Sequence, residues 1–572
     1  MSSRRVYFGL VVARAFLALL PGYIHPDEFF QSPEIAAGDI FGYQTLRPWE
    51  FDEGSPSRSI VPVYATTGLS FYLLKCIAGG FESITGLDMV NTWTLFIAQR
   101  MVCFVLSLLI DYCLYSLASR ETNLDPYSLL ALFASSYPIY TFLMRPFSNS
   151  LETVLLMLAV YALCKATAES KVVGRWSFVL GAFLVLGVFT RITFLGFGAP
   201  VGVAYLLIFS RPFYSPPSAA HLSSKSLWAL FHFISGVLTA ALFCIAADSL
   251  YYHGVHMAPL NNLLYNAATE NLEQHGLHPR YLHILVNTPL LFGPGAILAF
   301  IHLVKALRWG RWAAGSLFRT VLYYSSVMGT LVLSLFPHQE ARFLLPLTLS
   351  IPLSSLASPV VHSRKFKLTW FLFNGLLLLV YGVLHQAGLV PMMATLQREA
   401  VFVGNCTPFR DGELLKCREH AFRSKQALGN ETLETTVIFW KTYMPPLHLL
   451  GSLPPSSNST ASPDHPRVEV LDAAGMEWER VRRLLDQRQA LPSLEVSKRG
   501  DLLFARGSDG VYRRTLIVAP STARVAAQEL PHGVQLRRIT RQFPHVNFDQ
   551  LPQLLTEGIY LDLYVLERNP IL

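Results

Sequence analysis

The chain has 572 residues, of which 52% are hydrophobic and only 15% are charged, and its formal net charge is +8. Soluble domains carry roughly a quarter charged residues. This composition, with a mean hydropathy of +0.37, therefore excludes a disordered chain, a secreted disulfide-rich domain and an ordinary soluble enzyme. The sequence predicts an integral membrane protein. Its basic residues are dispersed between apolar segments, so we expect no nucleic-acid-binding surface.

Apolar runs long enough to span a bilayer recur along the first two thirds of the chain. Lys and Arg collect in cytoplasmic loops, and from Lys165 onward they mark every second loop. We therefore predict an all-α polytopic membrane domain over residues 1–385, with luminal loops at about 25–59 and 251–283. A spanning helix needs about 20 mostly apolar residues, and about 11 such runs begin near Tyr7, Ile60, Trp93, Tyr127, Ser177, Thr193, Leu227, Ile284, Val321, Phe343 and Leu368.

The number of crossings before Lys165 conflicts with this charge pattern. An odd number is required after the first luminal loop, yet four apolar stretches are available, so one stretch is expected to be broken or re-entrant. The candidates are 60–76, which contains Pro62, and the short stretch 151–164. Errors in the predicted boundaries of the apolar stretches explain the mismatch equally well.

Arg14 interrupts the first apolar stretch, which disfavours a cleaved signal peptide.

Residues 386–572 are more polar and predict a small luminal α+β domain, with a flexible insert at about 453–466. Short β-like runs at 436–440, 515–518 and 559–565 are its expected strands. Asn430 and Asn458 each begin an N-glycosylation acceptor sequence. Cys406 and Cys417 lie in the same region, and at the sequence level it stays open whether they form a disulfide.

Three titratable residues, His25, Asp27 and Glu28, follow the first apolar segment. Charges at a membrane boundary are costly and tend to be functional, and a carboxylate partly shielded from water is suited to act as a general base. The alternative is a turn in which both acids are solvated. Arg47 and Arg58 lie close behind, where guanidinium groups are able to bind phosphate bidentately or to pair with nearby acids and lipid headgroups.

Further polar clusters interrupt the apolar runs at 145–152, 191–193 and 337–343. The loop 261–283 is rich in aromatic and amide side chains of the kind that line sugar sites. Together these features predict a membrane-level pocket for a polyprenyl-phosphate sugar. In such a pocket an acid deprotonates an acceptor hydroxyl, and arginines offset the charge that develops on the phosphate leaving group.

Residues 22–34 (GYIHPDEFFQSPE), 47–51 (RPWEF) and 337–346 (PHQEARFLLP) resemble signatures of glycosyltransferase family 22, the dolichyl-phosphate-mannose-dependent α-mannosyltransferases. The resemblance implies a GT-C fold in the endoplasmic-reticulum membrane with a luminal active site. It also implies an inverting displacement without a metal or other cofactor, in which Asp27 is the catalytic acid and Glu28 lies beside it. The residues implied in donor binding are His25, Arg47, Arg58, Arg145, Asn149, His338, Glu340 and Arg342.

Within this family, residues 439–448 (FWKTYMPPLH) most resemble members that add a fourth, α1,2-linked mannose to the third mannose of the GPI anchor precursor. This implies dolichyl-phosphate-mannose as donor and a GPI precursor as acceptor, and we expect a monomer. The alternatives are a sibling enzyme acting on the GPI third-mannose position or on the dolichol-linked N-glycan precursor, and a membrane transporter or lipid carrier. The residues implied in acceptor binding are Trp49, Tyr265, His278, Lys441, Tyr443 and His448.

Two residues depart from the family pattern. Gln339 stands where Lys is common, and Arg280 stands where an aromatic residue is expected. Their roles stay open at the sequence level.

Overall fold

The computed structural model describes residues 3–210, 220–267, 278–309, 316–420, 431–454, 465–492 and 501–568. The chain forms two compact units. The first unit comprises Met1–Ala18, Arg47–Thr66 and Arg100–Leu378, and the second comprises Leu19–Leu46, Thr67–Gln99 and Leu379–Leu572. Two segments from the beginning of the chain therefore group with its C-terminal region, which a single boundary at residue 385 did not anticipate.

Most of the described chain is helical. The α-helices are Ser3–Leu17, Asp27–Phe30, Pro33–Phe41, Ile60–Val63, Leu69–Thr85, Thr92–Ala118, Pro126–Ala134, Ser148–Ala168, Val173–Thr190, Phe194–Ser210, Ala220–Tyr251, Ala258–Ala267, Thr288–Phe292, Pro294–Trp309, Leu317–Leu335, Ile351–Leu356, Arg364–Leu377, Leu389–Leu396, Trp478–Asp486 and Leu554–Glu557. Short 3₁₀ or π segments are Trp49–Phe51, Tyr64–Gly68, Ile139–Leu143, Ser170–Val172, His283–Asn287, Ala341–Leu349, Pro359–His362, Leu378–Leu384, Gln397–Val401, Leu447–Leu449, Ser521–Ala523, Val525–Ala527 and Phe548–Gln553.

Six helices within the described residues are long and apolar enough to cross a membrane. The chain is thus a multi-pass membrane protein, as its composition predicts. The expected number of about 11 spans is not confirmed, because several apolar runs form shorter helices such as Phe194–Ser210. The six candidate spans are Ile60–Thr85, Thr92–Ala118, Ser148–Ala168, Val173–Thr190, Ser224–Tyr251 and Arg364–Leu384.

Of the two stretches proposed as broken, 60–76 contains the π segment Tyr64–Gly68, whereas 151–164 lies within one α-helix. Residues 60–76 and 151–164 both lie within candidate spans, of 26 and 21 residues. Pro62 is tolerated because it lies in the first turn, where a missing N–H costs no helical hydrogen bond. The stretch that begins at Tyr127 is also interrupted, because its helix ends at Ala134 and a π segment begins directly after Pro138.

A buried ion pair explains the charge in the first apolar stretch. Arg14 is fully buried, and its guanidinium lies 3.0 Å from the carboxylate of Asp111. The Tyr7 hydroxyl donates to the same carboxylate at 2.8 Å. Charges inside a membrane protein are tolerated when they are paired in this way, so Arg14 belongs to the packed interior of the first unit.

The C-terminal region is built on an eight-stranded sheet. Its strands are β1 (Val403–Phe409), β2 (Leu414–Glu419), β3 (Leu433–Trp440), β4 (Arg467–Ala473), β5 (Asp501–Arg506), β6 (Tyr512–Pro520), β7 (Val534–Gln542) and β8 (Leu561–Arg568). The three β-like runs found in the sequence become β3, β6 and β8, in which β6 pairs with β3 in parallel and with β8 antiparallel. These runs were recognisable because central strands are buried on both faces and read as continuous apolar segments.

The helix Trp478–Asp486 packs on this sheet and buries Val481 and Leu485 against Ile438 and Ile517. The predicted α+β architecture of this region is therefore confirmed. Cys406 on β1 and Cys417 on β2 form a disulfide, which answers the question that the sequence left open. Asn430, Asn458 and most of the predicted flexible insert lie outside the described residues.

Burial of His545 makes the stability of the second unit depend on pH. Its side chain is only 1% exposed, and burial lowers its pKa from 6.5 to about 3. The ring therefore stays neutral in the folded protein, while the unfolded chain takes up a proton below about pH 6.5. Stability should fall as the pH drops from about 6.5 towards 3, by at most about 1.4 kcal/mol per pH unit from this group.

The test compares apparent melting temperatures of wild type and His545→Asn between pH 7.5 and pH 5, with the exposed His532→Asn as the control. We expect the decline towards pH 5 to be shallower for His545→Asn than for wild type and His532→Asn. Identical slopes for all three proteins would contradict the effect.

Candidate active site

The two adjacent acids have different environments. Asp27 and Glu28 begin the short helix Asp27–Phe30, directly after Pro26. Glu28 is fully buried, whereas the side chain of Asp27 is 26% exposed. Asp27 accepts a hydrogen bond from the side-chain amide of Gln31, and its carboxylate lies 3.4 Å from Nδ1 of His25. Asp27 is thus the more accessible acid of the pair.

The chain before Asp27 is held by the C-terminal part of the same unit. The buried Tyr23 donates to the carbonyl of Met444 at 3.1 Å and packs edge-to-face on Tyr443. Gly22 donates its N–H to the carbonyl of Gly382 at 2.8 Å. A Cβ at Gly22 would lie 2.3 Å from the carbonyl oxygen of Tyr381, so only glycine allows this close approach.

A buried polar network lies behind the short helix Asp27–Phe30, which is called the acid helix below. Glu34 and His448 are both fully buried, and Nδ1 of His448 lies 2.9 Å from Oε1 of Glu34. The same oxygen accepts the backbone N–H of His448 at 3.0 Å, while Oε2 accepts the N–H of Leu46 at 3.1 Å. On the other side of the imidazole ring, Nε2 lies 3.1 Å from Oε1 of Gln99.

This burial does not support the expectation that His448 contacts the acceptor. Both ring nitrogens are occupied, and the ring packs near Phe29 and Phe71. His448 therefore supports the acid helix rather than facing substrate. Lys441 and Tyr443 are only partly buried, and the Tyr443 hydroxyl lies 3.2 Å from Nε2 of His385.

In the first unit, two arginines meet at Ser148. Arg191 donates to the Ser148 hydroxyl at 2.8 Å, and Arg58 approaches the same hydroxyl at 3.5 Å. Each arginine is also paired with an acid: Arg58 with Glu50 at 2.9 Å, and Arg191 with the fully buried Glu152 at 3.7 Å. These carboxylates fix the orientation of the guanidinium groups.

Glu152 in turn organises the start of the helix Ser148–Ala168. It accepts hydrogen bonds from the Asn149 amide at 3.3 Å and from the Thr193 hydroxyl at 3.2 Å. Arg145 is fully buried in the turn that precedes this helix, where its carbonyl accepts the N–H of Phe147. Glu152 therefore links Asn149 to Arg191, while Arg145 lies in the turn before this helix.

The signature around His338 joins this arginine cluster through one aromatic ring. His338 lies 2.8 Å from Glu340, which also pairs with Arg342. The guanidinium carbons of Arg342 and Arg191 lie 5.5 Å and 4.9 Å from the centre of the Phe343 ring. Cation–π contacts of this kind hold guanidinium groups near an apolar surface. The sequence placed Arg191 in one of the polar clusters of the predicted pocket, but no donor-binding role was predicted for it.

Gln339 has a structural role. Its side chain is 2% exposed, accepts the backbone N–H of His283 at 3.0 Å and donates to the carbonyl of Phe336 at 3.1 Å. His278 is tied to the same loop, because its N–H donates to the carbonyl of Pro337 at 2.8 Å. Gln339 therefore connects the segment at His283 with the loop that follows Phe336. The other residue that departs from the family pattern, Arg280, has an exposed side chain.

Trp49 and Tyr265, both predicted to bind the acceptor, form a stacked pair with ring centres 4.2 Å apart and an interplanar angle of 28°. Trp49 is 46% exposed. Arg47 lies close by in sequence, hydrogen-bonds to the hydroxyl of Tyr251 and lies over its ring. An exposed aromatic stack of this kind offers a flat apolar surface to a sugar ring.

The predicted residues are thus divided between the two units. Among the described residues, no group of three His, Cys, Asp or Glu side chains is arranged to hold a metal ion. The second unit carries His25, Asp27, Glu28, Lys441, Tyr443 and His448. The first unit carries Arg47, Trp49, Arg58, Arg145, Asn149, Tyr265, His278, His338, Glu340 and Arg342.

A sequence profile of the Alg9-like mannosyltransferase family matches residues 5–444, which include nearly all of these side chains. The chain belongs to the Alg9-like mannosyltransferase family. The family indicated by the sequence signatures is therefore confirmed, and the transporter alternative is not supported.

Curated relatives match this family member over nearly its whole length. It is 34% identical to "GPI mannosyltransferase 4" of Emericella nidulans, over 96% of this chain and 93% of the relative. It is 32% identical to the Homo sapiens "GPI alpha-1,2-mannosyltransferase 4", over 98% and 92%. Among solved structures, ArnT from Cupriavidus metallidurans bound to undecaprenyl phosphate is 10% identical, with a TM-score of 0.46 over 99% and 98% of the two chains.

Removing one partner of the buried Glu34–His448 pair should destabilise the protein. His448→Ala leaves the carboxylate of Glu34 buried without its main partner, which costs about 3–5 kcal/mol. We expect a lower apparent melting temperature and less folded protein. Lys441→Ala, in the same segment but partly exposed, is the control. Equal thermal stability of the two variants would show that the pair contributes nothing.

Proposed function

We propose that this protein is a GPI mannosyltransferase of the endoplasmic-reticulum membrane with a luminal active site. It transfers a fourth, α1,2-linked mannose from dolichyl-phosphate-mannose to the third mannose of the GPI anchor precursor, and it acts as a monomer. The observation that carries this proposal is the similarity of the whole chain, C-terminal region included, to fungal and human relatives that bear this name.

Asp27 is proposed as the general base. Its carboxylate is the accessible one of the pair, and contacts with Gln31 and His25 orient it. It takes the proton of the acceptor hydroxyl as that oxygen attacks the anomeric carbon of the donor mannose. The bond from this carbon to the phosphate oxygen breaks, its electron pair leaves with dolichyl phosphate, and a β-linked donor gives an α-linked product. Glu28 is buried, so it is assigned a supporting role.

The donor phosphate is assigned to the arginine cluster of the first unit. Arg58, Arg191 and Arg342 are each paired with a carboxylate that fixes the guanidinium orientation. Donors oriented before substrate arrives stabilise the charge that develops on a leaving phosphate without reorganisation. His338 shares Glu340 with Arg342, while His25 and Arg47 are further proposed donor contacts.

The acceptor is assigned to the exposed stack of Trp49 and Tyr265, where a mannose ring lies against the aromatic faces. His278, Lys441 and Tyr443 are further proposed acceptor contacts. No separate observation favours the sibling activities on other mannose positions.

The proposal is tested in cells that lack their own fourth-mannose transferase and are complemented with wild type, Asp27→Asn or Asp39→Asn. Radiolabelled mannose is followed into GPI precursors separated by mannose number. We expect wild type and Asp39→Asn, which changes an exposed acid, to convert three-mannose into four-mannose precursors. Asp27→Asn should lose about 10²–10⁴-fold in rate, the usual contribution of a general base, at equal protein abundance.

Two results contradict the assignment. Full activity of Asp27→Asn would place the base elsewhere. Unchanged GPI precursors together with longer dolichol-linked oligosaccharides would replace the GPI acceptor with the N-glycan precursor.

Arg191→Lys should raise the KM for dolichyl-phosphate-mannose. Lysine keeps the charge but loses the planar guanidinium that contacts Ser148 and Phe343. The measurement is donor titration in microsomes, with Arg120→Lys as the matched control, because Arg120 pairs with Glu169 on an exposed surface. An unchanged donor KM for Arg191→Lys would remove Arg191 from the donor site.

A further inference from the structure

The link between β7 and β8 presents apolar side chains to the outside of the second unit. Leu555 is 98% exposed, Phe543 64% and Leu551 51%. No residue in the helical segments Phe548–Gln553 and Leu554–Glu557 is buried. Exposed apolar patches on a folded domain mark surfaces that are covered in the functional state. Residues 543–557 are called the apolar link below.

The apolar link begins at the end of a membrane span. Val546 donates its N–H to the carbonyl of Leu384 at 2.9 Å and accepts the N–H of Gln386 at 3.0 Å. The ring of Phe548 stacks on His385 at 4.5 Å with an interplanar angle of 10°. Leu384 is the last residue of the candidate span Arg364–Leu384. The apolar link is therefore held by Val546 and Phe548 at the point where the chain leaves this candidate span.

Two polar side chains of the apolar link turn towards the protein, whereas Asp549 and Thr556 are exposed. Gln550 accepts the hydroxyl of Thr522 at 2.6 Å, and Glu557 pairs with Arg524 at 2.8 Å. These contacts fix one face of the link against the sheet domain and leave Leu551 and Leu555 on the outside. A segment that is held to the protein by polar contacts and exposes large apolar side chains beside the polar Asp549 and Thr556 fits the boundary between lipid headgroups and acyl chains.

We propose that the apolar link inserts Phe543, Leu551 and Leu555 into the bilayer surface at the Leu384 end of the last span. The occupant is lipid, because Val546 of the link is hydrogen-bonded to Leu384 at the end of a candidate membrane span. The insertion anchors β7 and β8, and through them the sheet that contains β3. Tyr443, which follows β3, contacts both His385 and Tyr23. The anchor thus also fixes the acid helix relative to the membrane surface.

The test uses a spin label at residue 555 in the purified full chain, reconstituted into phosphatidylcholine nanodiscs. Leu555→Cys is made in a Cys76→Ser background, because Cys76 is the exposed free cysteine. The control label is at Glu479→Cys, on an exposed and polar position of the same domain, 71% exposed. Since both positions are exposed, neither substitution should impair folding, which size-exclusion chromatography verifies.

Collision rates with oxygen, which concentrates in lipid, and with a water-soluble nickel complex are measured for both labels. We expect the ratio of oxygen to nickel collisions to be higher at residue 555 than at residue 479. An equal ratio at the two positions would place the link in water and overturn the proposal. Protection of residue 555 from both reagents would also overturn it, because protein rather than lipid would then cover the link.

Discussion

Glu34 and His448 form a buried pair that joins the beginning of the chain to its C-terminal region. We infer that the position of Asp27 depends on this contact. A carboxylate without exposure to water must be paired, because a lone buried charge is costly. Glu34 meets this requirement with the ring and backbone of His448 and with the N–H of Leu46. Since Glu34 starts the helix Pro33–Phe41, immediately after the acid helix, the pair fixes both helices in the second unit.

A related principle operates in the first unit, where acids orient arginines. Glu50, Glu152 and Glu340 each hold one guanidinium group, and Ser148 and Phe343 bring these groups near one another. Pairing with carboxylates lowers the net positive charge of the arginine cluster, but it fixes the directions in which the guanidinium groups donate hydrogen bonds. An enzyme that releases a phosphate gains more from donors fixed in place than from mobile ones. The donor assignment rests on this property.

Composition, hydropathy and short signatures revealed the membrane class, the family and the three central strands. They could not give the number of spans, because hydropathy does not show where backbone hydrogen bonds end, as they do at Ala134 before Pro138. They also misjudged His448, whose residue type suggests chemistry but whose burial is a tertiary property. The structural role of Gln339 could not be predicted either, because the four hydrogen bonds of its side chain to backbone groups exist only in the folded chain.

The central claim, that the buried pair holds Asp27, the proposed general base, in position, is tested most directly with purified Glu34→Gln in nanodiscs. Mannose transfer is measured per folded molecule, with the exposed Glu529→Gln as control. We expect a lower kcat for Glu34→Gln at an unchanged KM for dolichyl-phosphate-mannose, and wild-type values for the control. A wild-type kcat accompanied only by lower thermal stability would show that the pair maintains the fold without positioning Asp27.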